Sequence, residues 1–396
     1  MLPRSKILEQ PISLRNPYIF YLGHIPTFLD IHLSQATGQA GVFPEDYRLI
    51  FERGVDPDVN DPLQCHYHSD IPEQWPALEQ ILEFSSCVRA QVESLYKNEE
   101  QKLNTSTRLR KALWMSFEHE AMHLETFLYM LLQDSCTRIG HEVVKPSWLI
   151  PESQLPKANL CNNTWIEIPQ TTISIGIDDT DDECGQGPEL YSWDNEKPRR
   201  SGINIPQFQA KGAPLCIEDY VDYLASKDAL HGPVPATWVP AVGLTPLKDV
   251  TRKERILNSF SLRTFFGPLP LSNPYARALP VVASYDELLR CAQWFGGRIP
   301  TQGELLSIYE YKDQYNTSPE NPARAIPTKV HEPLTNGWSR REIGFKHWMW
   351  SSVRAPKEVI CGRGETGGAW EWTSTVLDRH QGFREQAEYP GYTGKS

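Results

Sequence analysis

The sequence predicts an α+β protein, a helical bundle followed by an irregular domain of short strands. Three observations predict it. Apolar residues recur at helical spacing from Pro17 to about Gln133, ending in the run Leu109 to Leu132, which holds neither Gly nor Pro. Lys145 to Leu160, KPSWLIPESQLPKANL, then breaks all periodicity with three prolines. Beyond it the apolar runs are short, and the 12 Trp and 32 Pro of the chain point to loops pinned by aromatic rings. At 396 residues the chain exceeds one small core. The expected division is a bundle over 1–140, a linker over 141–162 and a second domain over 163–396.

The first expected helix is Tyr18 to Leu33, with Phe20, His24, Phe28 and Ile31 at helical spacing and Pro26 kinking or delaying it. His24 thereby faces the bundle interior with the large apolar side chains. Pro44 to Pro72 is too polar and proline-rich to be regular, which leaves His66 and His68 in a loop. A second helix is expected from Trp75 to Tyr96. The third, Leu109 to Leu132, has N-cap oxygens at Thr105, Ser106 and Thr107, and apolar residues over so much of its circumference that it should be buried. It carries His119 and His123, four apart and therefore stacked on one face. Such a pair reads in two ways: as core imidazoles hydrogen-bonded to neighbours, or as two metal ligands completed by His24 from a facing helix. In the second domain, strands are expected at Trp165 to Ile168, Thr172 to Ile177 and Asn204 to Gln209, and helices at Ile217 to Lys227 and Tyr285 to Phe295. The remainder reads as loop, with Trp370 and Trp372 on a strand that turns both rings into the core.

Composition excludes several classes. A formal net charge of −11, with no Lys/Arg block to offset it, argues against nucleic acid or an anionic membrane as partner. No run approaches the ~20 apolar residues of a membrane span, and the N-terminus is broken by Pro and charge before a signal-peptide core could form, so a cytoplasmic location is expected. The eight cysteines include no C-x-x-C pair, so neither a disulfide framework nor a zinc ribbon is indicated.

At these residues the chain resembles a known family. His24 together with H-x-x-x-H-x-E at His119, His123 and Glu125 resembles the iron-binding signature of DinB-like four-helix bundles. WIEIPQTTISIGIDD, SWDNEKPRR, LPVVASYDELLRCAQWFGGRIPTQGEL and GGAWEWTST resemble the formylglycine-generating-enzyme (sulfatase-modifying-factor) type of C-type-lectin-like domain. Both in this order resemble the ergothioneine-type sulfoxide synthases. GHIPTFLDIHLSQATG, IFERGVDPDVNDP, HEAMHLETFLYMLL and LRTFFGPLPL are similar to the fungal members, over about residues 15 to 393.

The resemblance implies nonheme iron(II) held by His24, His119 and His123, with O2, hercynine and either cysteine or gamma-glutamylcysteine as substrates. The reaction joins sulfur to the imidazole carbon and oxidises it to a sulfoxide. Glu125 becomes an acceptor for a ligand N–H, Arg53 and Met122 become substrate contacts, and Tyr389 and Tyr392 are the candidates for the phenolic donor near the metal. Two departures stand out. No methyltransferase domain precedes the bundle, and EYPGYTGKS stops short of a further stretch that closes the lectin-like fold in the family, from which reduced activity is expected. KGAPLCIEDYVDYL also replaces a polar pair with Cys216 and Ile217. A DinB-type metal-dependent thiol transferase and a non-catalytic paralogue that binds a small molecule or partner are the competing readings.

Overall fold

The computed structural model describes residues 2–42, 44–52, 55–57, 65–67, 72–98, 106–134, 164–178, 191–226, 234–241, 249–264, 267–317, 370–377, 379–385 and 389. Helices and small antiparallel sheets make it an α+β protein. The chain divides into two compact units. Unit 1 comprises Met1–Thr137 with Gly176–Arg199 and Asp378–Ser396, and unit 2 comprises Arg138–Ile175 with Arg200–Leu377.

Unit 1 is built on α1 (Tyr18–Thr37), against which α2 (Tyr47–Phe51), α3 (Leu78–Asn98) and α4 (Thr107–Gln133) pack. Helix α1 is not delayed at Pro26. It continues to Gly38, whose φ of 69° suits glycine and whose N–H caps the Ser34 carbonyl. Tertiary packing overrides the missing N–H, because α1 is buried on several sides through Tyr18, Ile19, Phe20, Tyr21, Phe28 and Leu33. The buried helix of the bundle is therefore α1 rather than α4. Helix α4 keeps an outer face with Trp114, Phe117, Met122 and Leu124 between 40% and 51% exposed. It starts at Ser106, whose hydroxyl accepts from Leu109 N at 3.2 Å. Within Pro44 to Pro72, expected to be irregular, the chain forms α2 and the hairpin β1 (Val55–Pro57) with β2 (Cys65–Tyr67), in which Asp56 faces His66. His68 lies outside the described residues.

In unit 2, β3 (Trp165–Ile168) pairs with β6 (Phe208–Lys211), and β4 (Thr171–Ile175) pairs with β5 (Arg200–Ile205). The single strand expected over Asn204 to Gln209 is thus two strands in two sheets. Pro206 has no N–H to give to a ladder, so the chain changes partner there. The main core packs α5 (Ile217–Ala225) with Trp238 of β7 (Trp238–Pro240), α6 (Arg252–Ser259), β8 (Phe260–Leu262) and α8 (Tyr285–Trp294). A third strand, β9 (Leu269–Pro270), pairs with β8, and a single helical turn, α7 (Pro274–Arg277), follows it.

Helices α6 and α9 (Gln302–Thr317), expected as loop, both begin in a capping box. At α9 Thr301 Oγ1 accepts from Glu304 N at 3.2 Å while Glu304 Oε2 accepts from Thr301 N at 2.8 Å. Gly303 lets α9 approach β4 and β5, since a Cβ there would stand 2.7 Å from Ile205 Cδ1. Trp370 and Trp372 are not on a strand and are 86% and 53% exposed, so the expected core role is not what they have in this structure. Trp372 Nε1 instead donates to the Ala283 carbonyl at 3.2 Å.

Candidate metal centre

His24 on α1 and His119 and His123 on α4 bring their Nε2 atoms together inside unit 1. His119 Nε2 lies 3.0 Å from His24 Nε2 and 3.0 Å from His123 Nε2, and one nitrogen from each ring falls within 4.8 Å of the others. The three rings are 5%, 6% and 9% exposed. Two nitrogens in adjacent positions of an octahedral first-row ion at ~2.1 Å stand about 3.0 Å apart, against about 3.4 Å in a tetrahedron. The two 3.0 Å spacings from His119 therefore match adjacent positions of an octahedral ion better than those of a tetrahedral one.

The His24 tautomer points the same way. Only 2.6 Å separates His24 Nδ1 from the Phe51 carbonyl, an acceptor that requires Nδ1–H and leaves the lone pair on Nε2. Burial pushes the His24 pKa down to about 4 and that of His123 to about 3, and it takes His119 well below the ordinary imidazole value. The His24 Nε2 lone pair thus faces His119 Nε2 at 3.0 Å, and three neutral imidazoles this close could each offer a nitrogen to one cation. Among the described residues these are the His, Cys, Asp and Glu side chains clustered closely enough to hold a metal.

Aromatic rings enclose the triad. Phe28 is stacked on His119 at 3.7 Å, Phe20 on His24 at 5.1 Å, and Tyr21 is 5.2 Å from His123. Phe51, which supplies the carbonyl, is fully buried among Phe20, Tyr47 and Trp75. From the segment joining β4 to β5, Tyr191 packs with Phe28 and Met115, and Trp193 Nε1 donates to Glu118 Oε2 at 2.8 Å. Burial raises the Glu118 carboxyl above its ordinary pKa, partly offset by that hydrogen bond.

The structure brings together some of the expected residues. Tyr389 packs edge-on against Phe28 at 5.4 Å, one ring away from His119. Met122 is 51% exposed although its neighbour His123 is buried, as the ~100° between successive helical residues requires. Glu125 is half-buried, and since neither His119 Nδ1 nor His123 Nδ1 has a hydrogen-bond partner, it accepts from neither of those atoms. Arg53 and Tyr392 lie outside the described residues. Sequence reasoning missed the Phe51 carbonyl, since a main-chain acceptor leaves no trace in residue type. It also passed over His32, which continues the stripe of His24 and Phe28.

No protein-family model matches the chain. It is similar to Ergothioneine biosynthesis protein 1 of Neurospora crassa, 37% identical over 447 aligned positions that cover 99% of this chain and 50% of that protein. It is also similar to Ergothioneine biosynthesis protein 1 of Schizosaccharomyces pombe, 30% identical over 415 positions covering 99% and 48% respectively. The chain thus spans about half the length of the curated relatives it matches. Over nearly its whole length it is similar to about half of each of these two fungal proteins.

Proposed function

We propose that the chain takes part in ergothioneine biosynthesis as an iron(II)- and O2-dependent sulfoxide synthase that joins cysteine or gamma-glutamylcysteine to hercynine. The approach of His119 Nε2 to within 3.0 Å of both His24 Nε2 and His123 Nε2 carries this reading, and the similarity to the two fungal proteins supports the pathway. His24, His119 and His123 would hold the metal. Iron(II) bound there supplies O2 activation and open coordination positions for a thiolate and an imidazole.

The remaining work falls to residues of this chain. The Phe51 carbonyl fixes the His24 tautomer, so that Nε2 stays a ligand atom. An all-imidazole set brings no negative charge, which favours an anionic thiolate over the arrangement with one carboxylate. Phe20, Phe28 and Tyr21 exclude water from the ligand rings and keep all three unprotonated at neutral pH. The Tyr389 hydroxyl would serve as the proton donor, a role supported by the packing of its ring on Phe28, which is stacked on His119.

No helix of the described residues is long and apolar enough to cross a membrane, which is compatible with a cytoplasmic reaction on small polar substrates. The test supplies the purified chain with iron(II), hercynine and gamma-glutamylcysteine or cysteine under O2. Sulfoxide detected by mass spectrometry, with matching O2 uptake, is the expected result. Thiol transfer without O2 uptake would favour a DinB-type transferase, and metal binding with no turnover of any thiol would favour a non-catalytic paralogue.

A further inference from the structure

The three ligand rings are not held alike. His24 Nδ1 is tied to the Phe51 carbonyl at 2.6 Å, whereas His119 Nδ1 is buried and has no hydrogen-bond partner. A metal-ligating histidine almost always donates its second ring N–H, and that bond fixes the orientation of the ring. Without it no polar contact sets the plane of His119, because rotation about the last side-chain bond of a histidine is broad. What His119 has instead is Phe28. The two ring centroids lie 3.7 Å apart and the planes are 12° from parallel. Phe20 stacks on His24 more loosely, at 5.1 Å, and Tyr21 meets His123 at 5.2 Å with a tilt of 47°. Phe28 is hemmed in as well. It is 2% exposed, clusters with Met115 and Tyr191, and has His32 at 4.3 Å and Tyr389 at 5.4 Å. A phenyl face lying over a neutral ring is not the arrangement aromatic pairs prefer, but over a ring drained of electrons by a bound cation it is attractive.

We propose that Phe28 is a positioning residue of the metal centre, whose stacked ring sets the plane of the His119 imidazole in place of the missing hydrogen bond. Tyr191 acts one step further out, by packing Phe28 in its place. The assignment rests on the proposed function only in taking the three histidines to hold a metal.

The test is Phe28→Leu, which keeps apolar bulk and loses the planar face. Its cobalt(II) affinity, from competitive titration against a chelator, should fall about tenfold, the lower end of the usual cost of losing a contact that orients a ligand. Long-range proton–nitrogen NMR of the zinc-loaded, histidine-labelled chain supplies the local readout. In the wild type all three imidazoles should show a metal-bound Nε2; in Phe28→Leu the His119 signals should broaden or split while those of His24 and His123 persist. Leu95→Ala, in the separate cluster of Leu33, Leu95 and Leu109, is the control for lost stability. It should lower the melting temperature and leave cobalt affinity unchanged. Should Phe28→Leu fail to fold, Tyr191→Leu, which leaves the stacked pair itself intact, is expected to weaken cobalt binding and disturb the His119 signals in the same sense. Wild-type affinity with undisturbed His119 signals in the variant that folds would overturn the proposal, as would an equal loss of affinity in Leu95→Ala. Failure of the wild type to bind cobalt or zinc would overturn the metal centre and this assignment with it. Phe28-dependent cobalt binding with no sulfoxide from the iron-loaded chain refutes the proposed reaction alone, and sulfoxide formation with Phe28-independent metal binding refutes this assignment alone.

Discussion

Gly23→Ala should cripple metal binding although residue 23 touches no metal. A Cβ built on Gly23 lies 2.6 Å from Cε1 and Cζ of Phe51, whereas ordinary contact begins at 3.4 Å, so the ring must retreat by 3.4 − 2.6 = 0.8 Å. It has little room, being fully buried with Phe20, Tyr47 and Trp75 at centroid distances of 6.0, 5.3 and 5.9 Å. Overpacking of this kind costs about 1–3 kcal/mol. The alanine returns about 1 kcal/mol of helix propensity, so net stability should fall by roughly 0–2 kcal/mol. The metal-binding consequence is larger. Moving Phe51 moves the carbonyl that accepts from His24 Nδ1 at 2.6 Å, and loss of a hydrogen bond that orients a ligand typically costs about 10–100-fold in metal affinity. The assay is competitive titration of iron(II) or cobalt(II) against a chelator, run beside thermal melts of the metal-free chain. A Gly23→Ala protein that binds metal as tightly as wild type would refute the claim that the Phe51 carbonyl sets the His24 ligand atom.

His123→Ala should abolish stoichiometric iron binding while far-UV circular dichroism stays unchanged; iron retained at one per chain would remove His123 from the ligand set. The metal-free chain should lose stability in mild acid. His24 and His32 titrate near 4 and His123 near 3 when folded but near ~6.5 when unfolded, so the unfolded chain binds more protons between those values and stability falls as pH drops through that window, by about 1.4 kcal/mol per pH unit for each histidine. Urea midpoints at about pH 7.5 and about pH 5.5 that coincide would contradict this burial. Trp193→Phe removes the donor to the half-buried Glu118 and should destabilise unit 1 by about 1.5–3 kcal/mol, measured by denaturant titration. Thr251→Ala should cost about 0.5–2 kcal/mol through the lost cap of α6 and leave metal affinity untouched, which makes it the control for effects confined to unit 2.

The parts of the molecule legible in the sequence are those set by local periodicity. The range of α4, the strand Trp165–Ile168 and the start of α5 at Ile217 follow from spacing and caps, and so does the placing of His119 and His123 on one face. Helices α6 and α9 were legible too, through T-x-x-E at Thr251 to Glu254 and at Thr301 to Glu304, a capping signal that the reading of both stretches as loop did not use. What periodicity cannot convey is which helix becomes central. Helices α1 and α4 both carry apolar residues over much of their surface, and the choice of α1 as the buried one depends on which neighbours α2 and α3 cover, a tertiary outcome.

The same distinction divides the metal centre. Its three ligands are side chains, so residue type and spacing reveal two of them and a facing histidine supplies the third. Whether those ligands are competent depends on tautomer and protonation, which come from a main-chain carbonyl at Phe51 and from the rings of Phe20, Phe28 and Tyr21. Any sequence with an apolar ring at those positions would look alike. Only the packed structure shows that the Phe51 ring, hemmed in on several sides, is what holds its own carbonyl within 2.6 Å of His24, and so makes the conformation of a short helix part of the chemistry of the ligand set.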